Sequence, residues 1–407
     1  MNHCQSLSVK SVAIALSALV LLTGCRGFGG KPPLSSPLPS VNTSDLKLSN
    51  QRRREILDES WKSYRQRFIQ PDGRVIDWES DQRTTSEGQA YAMLRAVLAN
   101  DPETFSRTLN WAEVNLARKV GGKRSDRLWT WKWGRTPLGQ WGVLDGNFAS
   151  DADIDACFSL ILASKRWNKP DYLVLARQKL EDLWQFSTLE VKQQRYLLPG
   201  PEVAFRQGET LIFNPSYFAP YAFRLFAQVD GERDWLKLID SSYRVLEDSA
   251  TLSSVGLPSD WVGLNLKTQR YESLKAPLLS QYGFDASRVW WRVALDGAIY
   301  NEPRAMAYLK QHTTHLRQLW LDQGKIPAQI SLQGQPLVDY DATSQYGMLF
   351  AAMELFDPAI ANNISQKKLL PRYQQGFWDN DAAYYTQNLV WFGLLPAEAI
   401  GQAMSPP

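Results

Sequence analysis

Apolar residues recur along the chain at the three- and four-residue spacing of helices. About twelve such stretches begin near Leu46, Ser86, Pro102, Ser150, Pro170, Pro215, Glu232, Phe284, Glu302, Ala342, Ala359 and Asp381. They largely alternate in character. Those from near Leu46, Pro102, Pro170, Glu232, Glu302 and Ala359 are amphipathic. The stretch after Glu232 sets Arg233, Asp234, Lys237, Asp240, Arg244, Glu247 and Asp248 around a stripe of Trp235, Leu236, Leu238, Ile239 and Leu246, which predicts one wet face. The other six are apolar nearly all round. Tyr217 to Val229 holds a single charge, Arg224, and Leu349 to Phe356 a single charge, Glu354. A helix apolar on every side is buried. Six buried helices alternating with six half-exposed ones predict an all-α fold, an inner ring of helices inside an outer ring.

Polar clusters stand where the chain enters the buried helices. They are Ser86-Glu87-Gly88, Ser150-Asp151-Ala152-Asp153, Asn214-Pro215-Ser216-Tyr217, Phe284-Asp285-Ala286-Ser287-Arg288, Asp339-Tyr340-Asp341 and Asn380-Asp381. Ser, Asp and Asn are ordinary N-caps. Caps alone do not call for Tyr, Trp and Arg near so many of them, so the six segments are expected to converge on one cleft at one end of the barrel.

The N-terminus has a different pattern. His3 and Lys10 precede an apolar run from Val12 to Leu22, too short to span a bilayer comfortably, and the run ends in Leu22-Thr23-Gly24-Cys25. This resembles a lipobox, whose cysteine is lipidated and becomes the first residue after cleavage. Residues 1–24 are then a lipoprotein signal peptide. Residues 25–45, beginning with the lipidated Cys25, form a Pro/Ser/Gly-rich tether. The expected organisation continues with a single domain over 46–400 and a disordered tail over 401–407. The expected location is the bacterial cell envelope, with membrane attachment through the lipid alone. Cys4 lies in the leader, so Cys157 is left without a disulfide partner and the core alone must hold the domain.

A formal net charge of +3 with no long basic run argues against nucleic acid as a partner. The chain carries 16 Trp, several times ordinary usage, which fits stacking on sugar rings, although core packing explains most single Trp residues equally well. His312 and His315 lie one turn apart on a surface-type helix without a third ligand, so they read as solvated. No metal or cofactor is expected. There is no nucleophile elbow, P-loop or dinucleotide fingerprint. Carboxylates and aromatics remain, the pairing that glycosidic-bond hydrolysis requires.

Four segments then carry a family resemblance. Ser86-Glu87-Gly88-Gln89-Ala90-Tyr91-Ala92-Met93 resembles a segment of glycoside hydrolase family 8, and Ala149-Ser150-Asp151-Ala152-Asp153 with Leu162-Ala163 and Trp167 resembles that family's signature. Asn214-Pro215-Ser216-Tyr217-Phe218 and Tyr282-Gly283-Phe284-Asp285-Ala286-Ser287-Arg288 follow in the family's order. Ala156-Cys157 replaces the signature's usual Ile/Met-Ala, a change of packing. The resemblance implies an (α/α)6 barrel and an inverting mechanism. It makes Glu87 the general acid, Asp285 the general base and Asp151 the residue that holds the distorted sugar. Arg288, one turn after Asp285, is placed to keep it ionised. Trp129, Trp131 and Trp133 resemble the aromatic strip that floors the cleft, and alternate residues of an extended segment point the same way. Tyr217 and Tyr282 are further substrate-binding candidates.

The implied partner is a β-1,4-linked polysaccharide, cut by a monomeric endoglucanase. A xylanase or mixed-linkage glucanase shares the same catalytic pair. A tethered glycan-binding protein needs no paired acid and base, and a lyase needs a base and cations placed beside a uronic acid. By analogy, an anchored enzyme of this kind fits association with a cellulose-synthesis machinery.

Overall fold

The computed structural model describes residues 48–404. Residues 1–47, where the signal peptide, the lipidated Cys25 and the tether are expected, and residues 405–407 lie outside the described residues. Its helices are α1 (Asn50–Phe68), α2 (Ser86–Leu98), α3 (Pro102–Asn115), α4 (Ser150–Trp167) and α5 (Pro170–Ser187). There follow the short α6 (Glu202–Phe205), then α7 (Pro220–Val229), α8 (Leu236–Ala250), α9 (Arg288–Tyr300) and α10 (Pro303–His312). The last five are α11 (Thr314–Gln323), α12 (Thr343–Phe356), α13 (Pro358–Ile364), α14 (Tyr384–Leu394) and α15 (Ala397–Met404).

Four helices that pack on the outside share one kind of start. Helices α3, α5, α10 and α13 each begin with Pro, and Asp101, Glu302 and Asp357 cap three of them by accepting from a backbone N–H. Proline fits the first turn because its missing N–H has no partner there anyway. Helices α2, α4, α7, α9, α12 and α14 close a ring, each packing on the next, and the outer helices α3, α5, α8, α10, α13 and α1 lie against them. This is the (α/α)6 barrel. Where α12 crosses α14, Gly347 faces Gly393, and a Cβ on Gly393 would come within 2.0 Å of the Gly347 carbonyl oxygen. Only glycine allows backbones this close.

Several boundaries differ from the periodicity reading. The stretch from Pro215 opens as a 3-10 turn over Pro215–Tyr217 before α7. The stretch from Glu302 breaks at Thr313 into α10 and α11. His312 is buried there, not solvated: Nδ1 lies 2.6 Å from the Gly256 carbonyl oxygen and Nε2 3.0 Å from Glu247 Oε2. Residues 401–404, expected in a disordered tail, belong to α15, which buries Ile400 and Met404 and plugs one end of the barrel against α2, α4 and α9.

The sequence pattern showed no strands, yet the described residues hold thirteen short ones. Their two to seven residues are too short to give a readable alternation. All lie in connections from an outer helix to the next inner helix. The opposite connections are brief turns, such as 99–101 and 168–169. All the elaboration therefore stands at the end where the inner helices begin, and the polar clusters are there.

Candidate active site

Strand β1 (Thr84–Thr85) leads directly into α2 and pairs with β4 (Lys132–Arg135). Thr85 Oγ1 caps α2 by accepting from Gly88 N, which fixes Glu87 in the first turn. Asp151 occupies the first turn of α4 and Arg288 that of α9. Asp285 lies in the turn just before α9. These four side chains, from three separate inner helices, meet at one point.

Arg288 is the hub. Its Nη1 donates to Glu87 Oε2 at 2.8 Å, to Asp151 Oδ2 at 2.9 Å and to the Tyr91 hydroxyl at 3.1 Å. Its Nη2 donates to Asp285 Oδ1 at 2.7 Å. Glu87 also accepts from the Tyr384 hydroxyl at 3.0 Å, and Asp285 from Asn214 Nδ2 at 3.0 Å. The Tyr217 ring lies beside the Arg288 guanidinium, 5.4 Å from its carbon.

Burial divides the carboxyls. Asp151 is 3 % exposed, Glu87 19 % and Asp285 33 %, so the last two can reach a ligand and the first faces the protein. Desolvation raises the Glu87 carboxyl to about 7; Arg288 and Tyr384 oppose the rise, and Asp151 and Asp285 add to it. Desolvation likewise raises Asp151, with Arg288 opposing. Burial holds the Tyr384 phenol well above its ordinary range, so it remains a donor to Glu87.

The remaining sequence candidates divide. Trp129 is fully buried: its Nε1 donates to Glu113 at 2.8 Å and the Lys179 ammonium lies 3.9 Å from the ring centroid. The chain bends after it, so Trp129 does not share the face of its neighbours. Trp131 is partly exposed, and its carbonyl accepts from Ser86 N at 3.0 Å, beside the acid. Trp133 stacks on the exposed Trp141 at 5.2 Å, with Arg74 near both rings. Tyr282 is buried, and its hydroxyl accepts from Trp290 Nε1 at 3.1 Å, a packing role. The Asp339-Tyr340-Asp341 cluster sends Asp341 into ion pairs with Lys368 and Arg372, not to the four central residues.

Three groups were not singled out from sequence. Asn214 was visible within a polar cluster but ranked as a cap. Tyr384 follows Asn380-Asp381 by one turn and carries no pattern of its own. Asp260 lies in a loop remote from every motif. Its Oδ1 accepts from Ala286 N at 2.8 Å, and its carboxyl, raised to about 8 by burial and the nearby Asp285, packs on Gly283, where a Cβ would come within 2.3 Å of Oδ2. Among the described residues, no three His, Cys, Asp or Glu side chains are grouped to hold a metal ion.

Two partly exposed carboxyls, one raised to about 7 and both held by one arginine at the mouth of an (α/α)6 barrel, have the composition that glycosidic-bond hydrolysis requires. The chain belongs to the glycosyl hydrolases of family 8, whose family model matches residues 46–398. It is 30% identical over 337 residues to an endoglucanase of Salmonella typhi, covering 82% of this chain and 85% of that one. It is 36% identical over 242 residues to an endoglucanase of Xanthomonas axonopodis, but there the match spans only 60% of the relative and 58% of this chain. The fold superposes on the endo-1,4-D-glucanase of Vibrio fischeri with a TM-score of 0.71 and 26% identity, covering 82% of this chain and 93% of that one. A Teredinibacter turnerae xylanase shares the fold equally, with a TM-score of 0.71 at 19% identity, covering 89% and 97%.

Proposed function

We propose that the protein hydrolyses β-1,4-linked glucan within the chain and with inversion, Glu87 protonating the leaving oxygen and Asp285 activating water. The observation that carries this reading is the single guanidinium of Arg288 gripping both carboxyls from below. Each carboxyl accepts from a different Nη atom of that guanidinium; inversion asks for a gap of about 6.5–9.5 Å between the two carboxyls, room for a water. Glu87, its carboxyl raised to about 7, can hold a proton to donate. Asp285, more exposed and fixed by Arg288 and Asn214, is placed to accept one. Asp151, nearly sealed and on Arg288, orients the arginine. The endoglucanase relatives support the choice of glucan.

The test is release of reducing ends from carboxymethyl cellulose, with the anomer of the first product followed by NMR. The expected result is an α-anomer first, and Asp285→Asn is expected to lower kcat by about a hundredfold to ten-thousandfold. A β-anomer would exclude inversion. Inactivity on this polymer and on xylan, chitosan and mixed-linkage glucan would overturn the hydrolase reading. Trp131→Ala is expected to raise KM for the polymer about tenfold or more while kcat changes less, because a stacked ring contributes roughly 1.5–3 kcal/mol of binding. An unchanged KM would remove Trp131 from the cleft.

The lipobox supports a further part of the proposal: Cys25 anchors a monomeric enzyme to the cell envelope, where it trims glucan as it is made. Cys25→Ala should move the protein from the membrane fraction to the soluble fraction. Retention in the membrane would refute the anchor.

A further inference from the structure

One helical turn below the catalytic cluster the same two helices meet again. Asp151 and Asp155 are four residues apart on α4, and Arg288 and Arg292 are four apart on α9. They make two rungs. The lower is a fork: Arg292 Nη1 donates to Asp155 Oδ1 at 2.5 Å and Nη2 to Oδ2 at 2.7 Å. Arg292 Nη1 also donates to the Tyr221 hydroxyl of α7 at 2.6 Å. All three side chains are sealed in the barrel core.

Stability alone gives poor reason for such a pair. Desolvating two charges costs several kcal/mol each, and well-packed apolar residues in place of a buried pair are often neutral or stabilising. The lower rung does lie directly beneath the upper one, and the upper one holds the acid. We propose that Asp155 and Arg292 are positioning residues for the proposed glycosidase reaction: their fork ties α9 to α4 across the barrel interior, so that Arg288 meets Glu87 and Asp285 together, and their mutual neutralisation keeps stray charge from beneath the acid. Neither touches the sugar.

The groups facing the two rungs are Glu87 and Tyr91 from α2, Asp151 from α4, Tyr217 from the turn before α7, Tyr221 from α7, Tyr384 and Tyr385 from α14, Arg288 beside them, and Asp285 and Asp260 from the loops. Tyr91, Tyr217, Tyr221, Tyr384 and Tyr385 are held neutral by burial, so the carboxyls and the two arginines set the local charge.

The two partners differ in one useful respect. An arginine cannot lose its proton in a protein, whereas an unpaired buried carboxyl takes one up. Asp155→Asn therefore leaves a bare cation below the acid. The alkaline limb of kcat, set by Glu87, is expected to fall by about one pH unit. Adding Arg292→Met removes the cation, and the limb is expected to return to its wild-type position while kcat stays about tenfold below wild type at unchanged KM. A purely structural pair would lower activity in both variants without moving the limb. That result, or wild-type kcat in the double variant, overturns the proposal. Should Asp155→Asn fail to fold, the uncharged double variant still decides through kcat. The Glu87 carboxyl can also be titrated directly by carbon NMR of labelled protein without substrate. The same downward shift is expected there, so a wrong substrate and a wrong pair give different results.

Discussion

Glu87→Gln is expected to abolish hydrolysis of carboxymethyl cellulose, with kcat down by about a hundredfold to ten-thousandfold and KM little changed. Gln fills the same space and can still accept from Tyr384, but it has no proton to give to the leaving oxygen. The same substitution makes an opposite prediction for stability. The Glu87 carboxyl binds its proton more tightly in the folded protein, at about 7, than at the ordinary value of 4.5. Stability from this group is therefore complete below about 4.5 and is lost as pH rises through about 7. At pH 8 the wild type bears a penalty of roughly 3 kcal/mol that Gln does not. The variant should melt higher than wild type at pH 8 and no higher at pH 4. Equal melting temperatures at pH 8 would show that Glu87 ionises without cost and that burial does not set its acidity.

Arg288→Met has the second large effect, on both axes. The guanidinium satisfies three carboxyl groups and the Tyr91 hydroxyl. Removing one partner of a buried ion pair costs about 3–5 kcal/mol, because the other charge remains. Here the remaining charges are all negative and repel one another. The proton affinities of Glu87 and Asp151, already raised, rise further, so the deficit is greatest at alkaline pH and shrinks as these two carboxyls protonate. Activity is expected to vanish even where the fold survives, since Glu87 and Asp285 both lose the group that positions them. A melting deficit that does not depend on pH would mean that Arg288 acts through packing and not through charge.

The barrel was legible because its helices announce themselves twice, by apolar character and by start signals such as Asp101-Pro102 and Asp357-Pro358. Glu87, Asp151, Asp285 and Arg288 were legible because each stands at a helix start, where a short motif fixes backbone and side chain together. The aromatic residues were not. Trp129 and Trp131 stand at alternate positions in one run, yet the chain bends between them and sends one into the core. Tyr282 reads like a cleft residue until Trp290 is seen to claim its hydroxyl. Tyr384 and Asp260 approach the cluster from 297 residues after Glu87 and from a loop with no regular spacing. No local pattern encodes such approaches, because only closure of the ring creates them.

Helix α1 begins at Asn50, which lines a cavity of about 840 Å³ together with Leu98, Leu355, Leu395 and Glu398, residues at the finishing ends of the inner helices and in α15. The main chain thus joins the domain at the back, a full barrel length from the carboxylates. If Cys25 holds the protein to a bilayer, as proposed, its attachment arrives at the end of the barrel opposite the mouth, so a polymer strand can enter the mouth without meeting the tether, and lengthening the tether would change only how far from the lipid the mouth can reach.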